Sequence, residues 1–171
     1  MGMDNEFSQT TLALLEQAAQ RCNTRGAKLT DLRRQVLGLV LESKQPSGAY
    51  DLLERLRGAR GPSAPPTVYR ALDFLVEQGF IHRVERLSAF VGCIDDGHHA
   101  HGHAHAAQFL ICSNCRRVTE IEDEAIAHAL EAAAARHGFT VARGMIEAEG
   151  ICAECAVNRS AVAPASSTAG R

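Results

Sequence analysis

No stretch of apolar residues in this sequence approaches the ~18–20 that a membrane-crossing helix needs, so no membrane partner is expected. The first residues, Met1 to Gln9, are polar and acidic. They lack the basic start and apolar stretch of a secretory signal, so a cytoplasmic location is expected. The chain is not strongly basic either: its formal net charge is −2, and charge balance alone does not announce a nucleic-acid partner. There is no H-E-x-x-H, no nucleophile motif and no glycine-rich phosphate loop. These absences argue against a hydrolytic metalloenzyme, and no enzymatic activity is expected.

What is present is a chain of 171 residues with 46% hydrophobic content. That suits one medium domain or two small ones. Charge is unevenly spread. Residues 21–70 carry Arg21, Arg25, Lys28, Arg33, Arg34, Arg55, Arg57 and Arg70 against few acids, whereas residues 88–171 are rich in Asp and Glu. A basic half beside an acidic half suggests two domains with different partners.

Apolar spacing predicts a helix over 8–23, capped by Ser8, with Leu12, Leu15, Ala18, Ala19 and Cys22 on one face. A second helix begins at Thr30 and carries Val36, Leu37, Val40 and Leu41. Ser47-Gly48 is read as opening a third, Ala49 to Arg57, and Gly58 to Pro62 as a turn. Paired prolines start a fourth helix, whose inward side is Val68, Ala71, Leu72, Leu75 and Val76 and which Gly79 closes. Strands are expected at 80–85 and 89–94, then at 108–111, 117–121 and 139–149. An Ala-rich helix spans 123–137. Residues 95–107, DDGHHAHGHAHAA, read as a His-rich hinge loop. The tail, 157–171, reads as disordered.

Helices followed by a two-stranded wing give the layout of a winged helix-turn-helix, whose recognition helix lies in the major groove of duplex DNA. Here that helix is Pro66 to Gln78, with Thr67, Tyr69, Arg70 and Asp73 facing outward early in it. Hydroxyls suit phosphates, and a guanidinium suits guanine or phosphate. A plain solvated helix face has the same pattern.

Four of the six cysteines form two pairs, Cys112-x-x-Cys115 and Cys152-x-x-Cys155. Each tight turn aims two sulfurs at one ion, and two turns complete a closed tetrahedral zinc site. Buried thiol pairs or a redox disulfide are the alternatives, but a redox motif needs only one C-x-x-C. His82, Cys93, His105 and Glu120 offer a second set of N, S, N and O donors drawn from both halves. An ion there would fix the angle between the halves. The His98, His99, His101, His103 and His105 run suits loose metal binding or a flexible polar loop.

Several segments together resemble the ferric uptake regulator family: APPTVYRALDFLVEQGF at 64–80, LTDLR at 29–33 and the four paired cysteines. SGAYDLL at 47–53, the paired prolines and IEAEGIC at 146–152 look most like its zinc uptake regulator branch. The likeness spans about residues 10–156. It implies an α+β chain: a winged helix-turn-helix domain at 1–94, the hinge loop at 95–107, a small α/β dimerisation domain at 108–156 and the tail at 157–171. It also implies a homodimer on double-stranded operator DNA and two Zn²⁺ per chain. Cys112, Cys115, Cys152 and Cys155 would hold structural zinc. His82, Cys93, His105 and Glu120 would hold regulatory zinc. Tyr69 and Arg70 fall on DNA-reading positions and Tyr50 on a phosphate-contact position. The function implied is zinc-responsive repression of zinc-uptake genes. Iron sensing within the family, or zinc buffering by the His loop, are the competing readings. Ala106-Ala107-Gln108-Phe109 stands where the iron-sensing branch has a dense His cluster, and the Cys93 thiolate suits zinc better than hexacoordinate iron.

Overall fold

The computed structural model describes residues 7–60, 65–93, 107–142 and 144–162. The order is α1 (Gln9–Thr24), α2 (Asp31–Glu42), β1 (Ser47–Gly48), α3 (Ala49–Arg60), α4 (Pro65–Glu77), β2 (Ile81–Val84), β3 (Ala89–Gly92), β4 (Ala107–Cys112), β5 (Val118–Ile121), α5 (Glu124–Arg136), β6 (Met145–Gly150) and α6 (Ala153–Val162). The fold class is α+β, with a winged helical N-terminal unit and a small α/β C-terminal unit.

The first core follows from helical spacing. Leu15, Ala18 and Cys22 of α1, Val36, Leu37 and Val40 of α2, Leu52, Leu53 and Leu56 of α3, and Val68, Ala71, Leu72 and Leu75 of α4 are all buried in one cluster. Residues three and four apart share a helix face, so each helix offers one apolar stripe. The Ser8 hydroxyl accepts from the Thr11 N–H at 3.2 Å and caps α1. Thr30 stands at the N-cap of α2 without a side-chain cap bond. α4 ends where the Phe80 N–H reaches the Leu75 carbonyl at 2.9 Å and Gly79 takes φ +72. That is the left-handed closure glycine adopts without steric cost, and it turns the chain into β2.

β2 and β3 pair antiparallel, His82 opposite Val91 and Val84 opposite Ala89. Strand period two splits the hairpin. Ile81 and Phe90 point into the helical core. Val84, with Val91 beside it, joins a second, smaller cluster built on Ala107, Phe109 and Ile111 of β4. In the C-terminal sheet β4 is central, antiparallel to β5 and parallel to β6.

Several expectations need correction. Ser47-Gly48 does not open a helix: it pairs with β3 and makes the wing sheet three-stranded. The helix after it runs on to Arg60. Glu85–Leu87 is a 3-10 turn, not the end of a strand, and Ser88 closes it at φ +47. Val76 is 37% exposed, off the buried stripe of α4. The last strand is only Met145–Gly150, because parallel pairing with β4 starts at Ala107–Met145. The helix α6 carries the second cysteine pair onward to Val162, so residues 157–162 are helical where disorder was expected. The turn at 61–62, Ile94, all but Ala107 of the hinge loop, and the tail from 163 lie outside the described residues.

Candidate metal centres

The first thiol pair is shaped by a turn at the end of β4. The Arg116 N–H bonds the Cys112 carbonyl at 2.9 Å, the Cys112 N–H bonds the Arg117 carbonyl at 2.9 Å, and Arg116 takes φ +60. The second pair straddles the start of α6. It is brought over by the β4–β6 register, which sets Cys112 opposite Gly150, and by the Ser113 N–H bonding the Gly150 carbonyl at 2.9 Å. As a result Cys112, Cys115, Cys152 and Cys155 lie with their sulfurs within 4.8 Å of one another. All are free thiols, and Cys115 and Cys152 sulfurs are 3.8 Å apart, far beyond a covalent S–S bond.

The electrostatics fit a cation. Main-chain N–H groups of Cys115 and Cys152 aimed at the Cys112 sulfur lower its thiol to about 6. Cys155 goes the other way. A contact to Asn114 lowers it, but Cys152, burial and the remaining thiols outweigh this and push it up to about 11. Crowded acids ionise unequally because the first charge opposes the next. A divalent ion removes that repulsion, and four sulfurs are the donor set of a closed zinc site.

A second cluster joins the two units. β2 carries His82, Cys93 follows β3, and β5 carries Glu120. The Cys93 N–H bonds the Phe80 carbonyl at 3.1 Å, which prolongs the hairpin ladder. Cys93 thereby becomes the diagonal neighbour of His82 on the same face. His82 Nε2 lies 3.0 Å from Glu120 Oε1, with side chains only 15% and 6% exposed. One donor atom from each of His82, Cys93 and Glu120 lies within 4.8 Å of the others. Burial pushes the His82 imidazole down, but hydrogen bonds to Cys93 and Glu120 and their charges carry it up to about 10. His105, the fourth residue expected here, lies outside the described residues. An N, S and O donor set is one zinc accepts.

The helix residues singled out from sequence are at the surface. Thr67, Tyr69 and Arg70 are exposed in the first turns of α4, Tyr69 to 53%. Tyr50, in the first turn of α3, is 69% exposed. Sequence reasoning missed the groups that brace the metal clusters: Phe109, Arg117, Glu154, Arg86, Glu147 and Glu149. Glu147, Glu149 and Glu154 were visible as members of an acid-rich stretch, and the first two also within the IEAEGIC segment, but without a role.

Residues 24–148 match the ferric uptake regulator family. The chain is 42% identical over 146 residues to the zinc uptake regulation protein of Escherichia coli strain K12, covering 85% of this chain and 83% of that protein. A solved zinc uptake regulator complexed with zinc and DNA superposes with a TM-score of 0.81 at 39% identity, covering 90% of this chain and 99% of that one. The crystal structure of holo XcZur gives 0.73 at 39% identity, covering 85% of this chain and 98% of that one.

Proposed function

The chain belongs to the ferric uptake regulator family, and from that premise we propose that it is a zinc-responsive transcriptional repressor of zinc-uptake and zinc-homeostasis genes, not an enzyme. The observation that carries this is the meeting of His82 and Cys93 from the wing with Glu120 from the C-terminal sheet. In this reading His105 is the fourth ligand. When bound, zinc supplies one centre that these side chains share.

Each residue then has a mechanical task. His82 and Cys93 are rigid parts of the hairpin that follows α4, so holding them against Glu120 fixes how α4 is presented. Thr67, Tyr69 and Arg70 face the major groove and Tyr50 a phosphate. Cys112, Cys115, Cys152 and Cys155 hold a second, structural zinc and staple β4 to α6. A nearly complete shift between incompetent and competent forms takes about 5.5 kcal/mol of differential binding, and thiolate and imidazole ligation to zinc is that strong.

The protein acts as a homodimer on operator DNA. α5 buries none of its side chains, and Leu110, Ile126, Phe139 and Met145 are exposed, as expected of a surface that a second copy covers. The DNA-reading domain is the winged unit through Cys93, and the dimerisation domain runs from β4 (Ala107–Cys112) through α6 (Ala153–Val162). No helix among the described residues is long and apolar enough to cross a membrane, and the site of action is the cytoplasm. Zinc buffering by the His loop would leave the exposed face of α4 without a task.

The experiment is a DNA-binding titration in buffered free zinc, using a duplex selected from random sequence by the zinc-loaded protein. Binding is expected to rise steeply with zinc. Cys93→Ser is expected to remove that dependence and one of the two zinc ions while leaving the fold intact. Equal affinity with the His82 site empty and full would end the sensing claim.

A further inference from the structure

Across the central strand β4, Phe109 is paired on one side with Glu120 of β5 and on the other with Glu147 of β6. Paired residues point to the same face of a sheet, so Glu120, Phe109 and Glu147 form one row. That row faces the wing. Phe109 is only 1% exposed, clusters with Val84, and sets its ring 5.4 Å from that of His82. At one end of the row Glu120 reaches His82. At the other, the Glu147 carboxylate accepts from the main-chain N–H of Glu85 at 2.7 Å and of Arg86 at 3.1 Å.

Those two N–H groups open the 3-10 turn at the wing tip, where the turn itself supplies no acceptor. A carboxylate there acts as a helix cap does, except that it comes from the other unit of the fold. Two residues along β6, Glu149 pairs with the Arg86 guanidinium. The wing is therefore gripped at both ends of one sheet row, and the Glu147 grip has no metal ligand in it.

We propose that Glu147 is a metal-independent latch that holds the wing tip to the C-terminal sheet in the arrangement the His82, Cys93 and Glu120 site also selects, and so sets how much zinc DNA binding requires. This rests on the DNA-binding reading above. Two devices that favour one arrangement are linked: each raises the fraction of molecules ready for the other, and the zinc requirement falls accordingly. Glu147 is a positioning residue: among the described residues it belongs to neither candidate metal cluster, and it acts through the wing backbone.

The test uses the full chain with Glu147→Ala and Glu147→Gln, read by zinc content, by DNA binding in buffered free zinc, and by hydrogen exchange at the Glu85 and Arg86 amides. Glu147→Ala is expected to raise the free zinc at half-binding about five- to tenfold, with unchanged affinity at saturating zinc. Zinc content stays at the wild-type value and both amides exchange at least about tenfold faster. Glu147→Gln, which keeps one acceptor, falls between, and carries the test if the alanine variant does not fold. A zinc midpoint within twofold of wild type, or unchanged protection of both amides, overturns the latch. If wild-type protein binds no duplex at any zinc level, the DNA-binding reading fails instead, and amide exchange alone decides whether the contact exists.

Discussion

Arg117 and Glu154 face each other across the four-thiol cluster, joined by two hydrogen bonds of 2.7 Å each. Arg117 lies two residues beyond Cys115, and Glu154 sits between Cys152 and Cys155. The pair thus ties one cysteine turn to the other. Glu154 lifts the guanidinium further above its ordinary range, and Arg117 lowers the Glu154 carboxyl. Supporting contacts of this kind typically change metal affinity 10–100-fold, and solvent screening of this exposed pair argues for roughly the lower figure. Arg117→Ala is expected to speed zinc loss to a chelator by that factor, with zinc content at the start unchanged. An unaltered release rate would make the pair incidental.

The interdomain site has a pH signature. Burial lowers the His82 imidazole, but its bonds to Cys93 and Glu120 carry it from the ordinary 6.5 to about 10. A group raised in the folded state adds stability that is fully present below the unfolded value and lost as pH climbs through the folded one. Protein holding zinc only at the cysteine cluster should therefore lose stability between pH 6.5 and about 10. Zinc needs the lone pair that the proton occupies, so affinity at this site should rise over the same window. Thermal melts and competition titrations across that range check both slopes, and Glu120→Gln should flatten them. Slopes identical in wild type and Glu120→Gln would show that Glu120 does not hold the His82 proton.

Arg70 is exposed on α4 with room to fork onto a base edge or a phosphate. Arg70→Ala should cost about 1–3 kcal/mol of duplex affinity, roughly fivefold to 150-fold, with zinc content unchanged. Fluorescence anisotropy at fixed salt measures this. Wild-type affinity in the variant would show that another face reads the DNA.

Phe109 is the largest side chain in the small cluster joining wing to sheet. Buried Phe→Ala changes typically cost 3–5 kcal/mol, and a cluster of this size suggests about 3. Urea denaturation of Phe109→Ala measures the loss. A change under about 1 kcal/mol would mean that the cluster does not join the units.

The helices were legible because each writes its period locally. Val68, Ala71, Leu72 and Leu75 declare a stripe without knowing what covers it. The cysteine pairs were legible for a similar reason, since spacing alone limits what two nearby thiols can do. Ser47-Gly48 misled because a two-residue strand has no period of its own and exists only through pairing with Phe90 and Ala89. Residues 157–162 misled because an Ala, Ser and Asn composition serves a short helix as well as a loose tail.

Residue order by itself settled the buried stripes of the four N-terminal helices, where thiols come in twos, and that His82, Cys93 and Glu120 are chemically suited to one ion. Only the assembled sheets decided that the three meet, and that Glu147 stands at the far end of the same row. The physical reason is register. Which side chains share a row depends on strands far apart in the chain sliding to one alignment, and no local pattern carries that information.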